Sequence, residues 1–155
     1  MRNQKVHEGG CLCGGIRYKT TGSPQYVGVC HCRYCQLRTA SAFGISVYFD
    51  DGQVLITKGT DLIRSYIYPT QSGRESHLRF CRNCGTTLLW SSEWRPGMMA
   101  VGGGTFDPPT FWYDVEKEIF CRSRAEFVDT NVSEKLETGP VYQPKNEEDH
   151  RLNGM

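Results

Sequence analysis

Apolar and polar residues alternate along this chain as they do in short β-strands. Eight segments are rich in β-branched and aromatic residues and are bounded by turn-forming residues. They cover residues 16–20, 26–32, 43–49, 54–59, 62–68, 77–81, 86–90 and 98–104. The DDG at 50–52 predicts a hairpin between the two segments beside it. The pattern as a whole predicts a mainly β fold.

Two stretches depart from the strand pattern. Residues 33–41, RYCQLRTAS, are the best candidate for a short helix. Cys32 and Cys35 would then lie at its start, where the helix dipole favours a thiolate. Residues 94–111 form a stretch rich in glycine and proline that we expect to line a pocket.

The chain is most simply one domain followed by a tail. A chain of 155 residues is long enough to bury a core, and no repeat or linker divides it. From about Thr138 the sequence becomes polar and ends in PKNEEDHRLNGM. We therefore expect a single domain over residues 1–137 and a loosely held tail over 138–155.

Charge and hydropathy argue against two classes of partner. The 18 basic and 17 acidic residues nearly balance, so we expect no nucleic-acid partner. No apolar run approaches the roughly 20 residues that span a bilayer, and the N-terminal residues lack the apolar core of a secretory signal. We expect no membrane partner and a cytoplasmic location.

Eight cysteines in a reducing compartment favour metal binding over a disulfide framework. Seven of them fall into three tight clusters, and Cys121 stands alone in an apolar pattern that predicts a strand and a buried thiol. The clusters are Cys11 and Cys13; Cys30, Cys32 and Cys35; and Cys81 and Cys84.

Counting ligands divides these clusters into two sites. A closed tetrahedral zinc site needs four ligands, which the two pairs supply together: Cys11, Cys13, Cys81 and Cys84. The trio supplies three, the number typical of a catalytic zinc with an open position. The alternatives are a redox dithiol at Cys81 and Cys84, and a trio closed by His31, by Cys121 or by a more distant histidine.

Three segments together resemble the glutathione-dependent formaldehyde-activating enzyme family, which includes the centromere protein V-type domains. They are GGCLCGGIRY, VCHCRYCQLRTASAFG and FCRNCGTTLLW, and the resemblance runs from about Gly9 to Phe127. It implies a β-tent fold of small antiparallel sheets held by two zinc ions. It also implies a structural zinc on the two cysteine pairs and a catalytic zinc on the trio.

The resemblance implies carbon–sulfur lyase chemistry, with S-(hydroxymethyl)glutathione formation from glutathione and formaldehyde as the named reaction. A three-thiolate zinc can hold an incoming thiol as thiolate, although its formal charge of −1 weakens its Lewis acidity. The alternative is a non-catalytic zinc-stabilised β-domain that binds a protein partner. The fourth ligand of the trio's metal distinguishes the two.

If a small thiol such as glutathione binds at the trio, His31, Arg33 and Gln36 are the expected pocket walls, with residues 97–111 opposite. A histidine is the side chain whose ordinary range of titration includes neutral pH, so His31 could accept the thiol's proton. A packed histidine, fixed by a backbone carbonyl, is an equally good interpretation of the same residue.

Overall fold

Short strands make up most of the fold, as the alternation predicts. The computed structural model describes residues 4–145. Its elements are β1 Val6–Gly10, β2 Arg17–Thr21, β3 Tyr26–Cys30, α1 Arg33–Thr39, β4 Gly44–Asp50, β5 Val54–Lys58, β6 Ile63–Pro69, β7 Glu75–Cys81, β8 Thr87–Ser92, β9 Met98–Gly102, β10 Lys117–Ile119 and β11 Glu134–Lys135. The eight predicted strands and the predicted helix are confirmed, with ends that differ by at most two residues.

The strands form two sheets of unequal size. The smaller has the order β1-β2-β5, and the larger has the order β11-β10-β3-β4-β9-β8-β7-β6. Pairing is antiparallel except on both sides of β10, which runs parallel to β3 and to β11. The expectation of small antiparallel sheets therefore fails for the larger sheet, which has eight strands and two parallel pairs.

The hairpin predicted at 50–52 is wrong. β4 pairs with β3 and β9 in the larger sheet, whereas β5 pairs with β2 in the smaller one. Residues 51–53 instead form a 3₁₀ turn, in which the Asp50 N–H donates to the Gln53 side chain at 2.9 Å. The Gln53 amide donates to the carbonyl of Thr21 at 2.8 Å. This hydrogen bond joins the turn to β2, which belongs to the smaller sheet.

One buried cluster fills the space between the two sheets. Tyr18 of β2 packs with Phe49 of β4 and Leu88 of β8, and all three are almost completely buried. Cys11 and Cys81 belong to this same cluster. Two of the predicted metal ligands are thus part of the main hydrophobic core.

A second, smaller cluster lies around Cys30, Cys32 and Phe120. Tyr142, from the predicted tail, packs edge-on against Phe120 with ring centroids 5.1 Å apart. The first residues of that tail therefore contact the body, while 146–155 lie outside the described residues. The domain boundary at 137 stays a prediction.

No helix within residues 4–145 combines the length and the apolar character that crossing a membrane requires.

Candidate functional site

Two tight turns bring four of the predicted ligands together. Gly14, just after Cys13, and Gly85, just after Cys84, both have positive φ, at 71° and 77°. That backbone conformation favours glycine because it has no Cβ. The Gly14 N–H bonds back to the Cys11 carbonyl at 2.9 Å, and the Gly85 N–H bonds to the Cys81 carbonyl at 2.8 Å. The two cysteine pairs consequently face each other on matching turns.

The four sulfur atoms have the spacing of a tetrahedral metal site. All lie within 4.8 Å of one another, with Cys11 to Cys13 at 3.5 Å and Cys13 to Cys81 at 3.8 Å. Four sulfurs bound at about 2.3 Å to a tetrahedral ion would be roughly 3.8 Å apart. A disulfide would need about 2.05 Å. The four-cysteine site could therefore hold a metal ion, and its donor set fits one that prefers thiolates.

The local hydrogen bonds favour ionisation on the exposed side of this site. The Thr86 hydroxyl lowers the pKa of Cys84 to about 5, and a hydrogen bond from Asn83 lowers the pKa of Cys13. Burial instead raises the pKa of Cys11 to about 11. A bound cation would be needed to keep the buried Cys11 sulfur deprotonated at neutral pH.

The trio assembles where strand β3 passes into helix α1. Cys30 ends the strand, Cys32 is the N-cap of the helix, and Cys35 lies in its first turn. The three sulfurs lie within 4.8 Å of one another. Among residues 4–145, no further Cys, His, Asp or Glu joins this group. The trio could thus hold a metal ion and leave one tetrahedral position to an outside ligand.

A single arginine provides the positive charge next to the trio. Hydrogen bonds from the Cys30 and Cys32 thiols hold the pKa of Cys35 well below its usual value. Arg38 Nη2 lies 3.5 Å from Cys35 Sγ, and the guanidinium stacks on Trp90 with 3.7 Å from Cζ to the ring centroid. Among the described residues no carboxylate pairs with Arg38. Its charge is therefore available to offset that of the thiolates.

The trio opens onto a cavity of about 370 Å³, which is within the range of about 300–1,000 Å³ that small-molecule sites occupy. Aromatic rings make most of its wall, and hydroxyl and amide groups line one side. The aromatic residues are Tyr26, Tyr34, Tyr48, Tyr68, Trp90, Trp94, Phe120 and Tyr142. The polar ones are Thr70, Gln71, Ser72, Ser76 and Ser92. Two cations, Arg38 and Arg95, complete a wall that contains no Asp or Glu among the described residues.

The predicted substrate residues lie elsewhere. None of His31, Arg33 and Gln36 lines this cavity. His31 is fully buried, and its Nε2 lies 2.6 Å from Oε1 of Glu118. The Gln36 amide donates to the carbonyls of His31 at 3.0 Å and of Ser123 at 3.3 Å. These contacts fix the position of the segment that carries the three cysteines of the trio.

The stretch at 94–111 divides between two cavities. Its first residues, Trp94 and Arg95, line the cavity beside the trio, as expected for a pocket-lining loop. Residues 102–105 and Phe111 line a second cavity, near Gly85. The prediction that 97–111 forms the wall opposite the trio is therefore wrong, because this part of the chain turns toward the four-cysteine site.

The structure corrects the prediction for Cys121. Strand β10 ends at Ile119, and Cys121 begins a 3₁₀ turn that follows Phe120, which has a positive φ of 56°. The thiol is only partly buried and lies 3.5 Å from the carbonyl of Glu118. It groups with His31 and Glu118 and not with the trio.

Glu118 connects this group to residues 130–135. Burial disfavours its carboxylate, but hydrogen bonds from Thr130 and His31 hold the pKa of Glu118 below its usual value. Lys135 Nζ lies 3.5 Å from its other oxygen. The carboxylate is fully satisfied, so this group stabilises the fold around the trio.

One part of the cavity was missed by the sequence analysis. Residues 139–142 line the cavity although they belong to the predicted tail. The Tyr142 hydroxyl donates to Gln71 at 3.0 Å, and the Lys145 N–H donates to the Gln71 carbonyl at 2.8 Å. An isolated tyrosine in a polar segment was the only hint of this contact.

Comparison with known proteins identifies a family and a distant relative. A sequence model of the glutathione-dependent formaldehyde-activating enzyme family matches residues 6–123. An uncharacterized lyase of Schizosaccharomyces pombe is 29% identical over 85 residues, which cover 55% of this chain and 57% of the relative. The match thus spans little more than half the length of that curated relative.

A solved structure shares the fold. A crystal structure of a Rhodobacter sphaeroides protein aligns with a TM-score of 0.54 and 18% identity, covering 70% of this chain and 96% of that one. At this level of identity the likeness supports the fold alone.

Proposed function

The chain belongs to the glutathione-dependent formaldehyde-activating enzyme family, and from this membership we propose that it is a zinc-dependent carbon–sulfur lyase of the β-tent fold. Its reaction would be the formation and cleavage of an adduct between a small thiol and an aldehyde, with glutathione and formaldehyde as the first candidates. The observation that supports this most directly is a three-cysteine cluster without a fourth protein donor among residues 4–145, open to a cavity of small-molecule size.

Zinc is the metal that best suits both cysteine sets, because it accepts three or four thiolates in a tetrahedron. Cys11, Cys13, Cys81 and Cys84 would hold a structural ion, and Cys30, Cys32 and Cys35 would hold a catalytic one. When bound at the trio, zinc would keep the incoming thiol as a thiolate and lower its pKa. We also propose a cytoplasmic location, since reducing surroundings keep thiolate ligands available.

The chain's own residues would stabilise and orient the reactants. Arg38 offsets the negative charge that three thiolates and a substrate thiolate accumulate. The aromatic wall excludes water and so strengthens this interaction. In the forward direction the substrate sulfur forms a bond to the aldehyde carbon, and the carbonyl electron pair moves to oxygen, which takes a proton. The reverse reaction breaks the same carbon–sulfur bond.

Tyr68 is the best candidate to assist the oxygen. It lines the cavity, and burial raises the pKa of its hydroxyl, so the group keeps its proton. A protonated hydroxyl can donate a hydrogen bond to the developing alkoxide. Tyr34 packs beside it with ring centroids 5.3 Å apart and helps to fix the ring.

The test is metal analysis of the purified protein together with adduct formation followed by NMR. We expect two zinc ions per chain and turnover of glutathione with formaldehyde. Zinc-loaded protein that neither binds a thiol nor turns over would favour the alternative, a non-catalytic zinc-stabilised β-domain that binds a protein partner. Protein that holds no zinc would contradict both.

A further inference from the structure

We propose that Arg95, held between Tyr26 and Tyr48, is a carboxylate-binding subsite of the cavity beside the trio. The inference rests on the proposed function and narrows it, because it limits the substrates to thiols that carry a carboxylate at a set distance from sulfur.

Aromatic rings hold the Arg95 side chain in place without using its hydrogen-bond donors. Its Cζ lies 4.2 Å from the Tyr26 ring centroid and 4.9 Å from that of Tyr48. The two rings are neighbours across the β3–β4 pair, with centroids 5.9 Å apart and planes tilted by 39°. Contact with ring faces fixes the guanidinium but leaves its five N–H donors free.

No protein group uses those donors in the part of the chain that the structure describes. Within residues 4–145, neither a carboxylate nor a carbonyl accepts a hydrogen bond from the Arg95 guanidinium. The contrast with other arginines is clear, since Arg17 binds both oxygens of Asp107 and Arg38 contacts Cys35. Arg95 is therefore the cation on this wall that remains available to a ligand.

The cavity wall is electrostatically suited to an anion. Its described lining contains two arginines and no Asp or Glu. Arg38 contacts Cys35 and offsets the charge of the trio, which leaves Arg95 as the cation for a carboxylate. The surrounding rings keep water away from one side of the guanidinium, which strengthens a charged hydrogen bond relative to one in bulk water. A planar carboxylate can accept hydrogen bonds from two N–H groups of the planar guanidinium at once.

The strand geometry sets the distance from this subsite to the trio. Tyr26 and Cys30 lie on the same face of β3, four residues apart. The Tyr26 ring leans over Gly28, where any Cβ would overlap its hydroxyl and ring atoms. Because the Arg95 guanidinium lies over that ring, we infer that it lies above Gly28, about two residues or roughly 7 Å along the strand from Cys30.

This distance defines the ligand. A thiol of di- or tripeptide size can place its sulfur at the trio and its carboxylate at Arg95. A thiol without a carboxylate, or one whose carboxylate is adjacent to the sulfur, cannot satisfy both.

The test is a double-mutant cycle in which one change is made in the ligand. Binding to zinc-loaded protein is measured calorimetrically for glutathione and for its diethyl ester, with wild type, Arg95→Gln and Arg95→Lys. Arg64→Gln, an exposed arginine on β6 that does not line the cavity, serves as the matched control.

We expect Arg95→Gln to weaken glutathione binding roughly 10- to 100-fold. Esterification should weaken wild-type binding by a similar factor and have little further effect on Arg95→Gln, while Arg95→Lys should retain part of the affinity. Equal binding of glutathione and its ester to wild type would overturn the subsite and leave the proposed function standing. If neither thiol binds to any variant, the proposed function itself fails.

Discussion

The two cysteine sites have similar ligands but different surroundings. The four-cysteine site joins segments 68 residues apart and shares Cys11 and Cys81 with the main core. The trio spans six residues, belongs to a small separate cluster and faces a cavity. In the first, a bound metal would close a long loop and so contribute to folding. In the second, a strand end and a helix start already bring the ligands together, so a metal bound there would be available for chemistry.

Cys81→Ser should have the largest effect on stability. Structural zinc sites contribute on the order of 10–16 kcal/mol of apparent binding free energy, which matches or exceeds the roughly 5–15 kcal/mol that stabilises a whole domain. We therefore expect the variant to be largely unfolded at 25 °C, as measured by circular dichroism and thermal melting.

Cys32→Ser is the matched control for that measurement. It also removes one thiolate, but it places a serine at a helix N-cap, where serine is favoured. Its melting temperature should stay close to that of wild type. Equal losses for the two variants would contradict the division into a structural and an open site.

Cys35→Ser should have the largest effect on activity with little effect on folding. The thiolate of Cys35 is the one that contacts Arg38, so its loss removes both a ligand and the paired charge. We expect adduct formation to fall at least about 100-fold, since metal activation is worth several kcal/mol. Zinc content should fall from two ions per chain toward one.

Cys121→Ser provides the comparison for that activity assay, because Cys121 lies outside the trio. Full activity in Cys35→Ser would show that the trio has no part in the chemistry, whatever its metal content.

The sequence was most informative where ligands are neighbours in the chain. Cysteines two or three residues apart must lie close in any backbone conformation, so the three clusters could be recognised before the fold was known. The strand alternation was similarly local. By contrast, the orientation of His31 depends on Glu118, which is 87 residues away, and no local pattern determines it.

The features that the sequence analysis did not predict correctly also depend on contacts or lengths that a local pattern does not show. β10 and β11 have three and two residues, too few for an alternation to be visible. The hairpin at 50–52 does not form because β5 pairs with the distant strand β2, to whose end the Gln53 amide also donates. The cavity wall at 139–142 depends on Tyr142 reaching Gln71, a contact that the polar composition of the segment concealed.

Removing residues 138–155 should test whether that wall belongs to the open site. The truncation deletes the Tyr142 contacts with Phe120 and Gln71 and widens the cavity. We expect KM for the thiol to rise about 5- to 10-fold, equivalent to the loss of about 1–1.4 kcal/mol of binding free energy. The zinc content should remain at two ions per chain.

A shorter truncation, of residues 146–155 alone, keeps every described contact of the segment and should leave KM unchanged. If both truncations raise KM equally, the wall at 139–142 does not contribute to binding.

The smallest expected effect is that of Cys121→Ala, and it bears most directly on the contrast between the two sites. The Cys121 thiol is partly buried and interacts with the Glu118 carbonyl, not with the trio's sulfurs. Burial raises the pKa of the Cys121 thiol, which opposes the ionised form that a metal ligand needs. We expect two zinc ions per chain, wild-type activity and a loss of at most about 1 kcal/mol of stability. Loss of one zinc ion would mean that protein closes the trio's metal, and the open position on which the proposed chemistry depends would not exist.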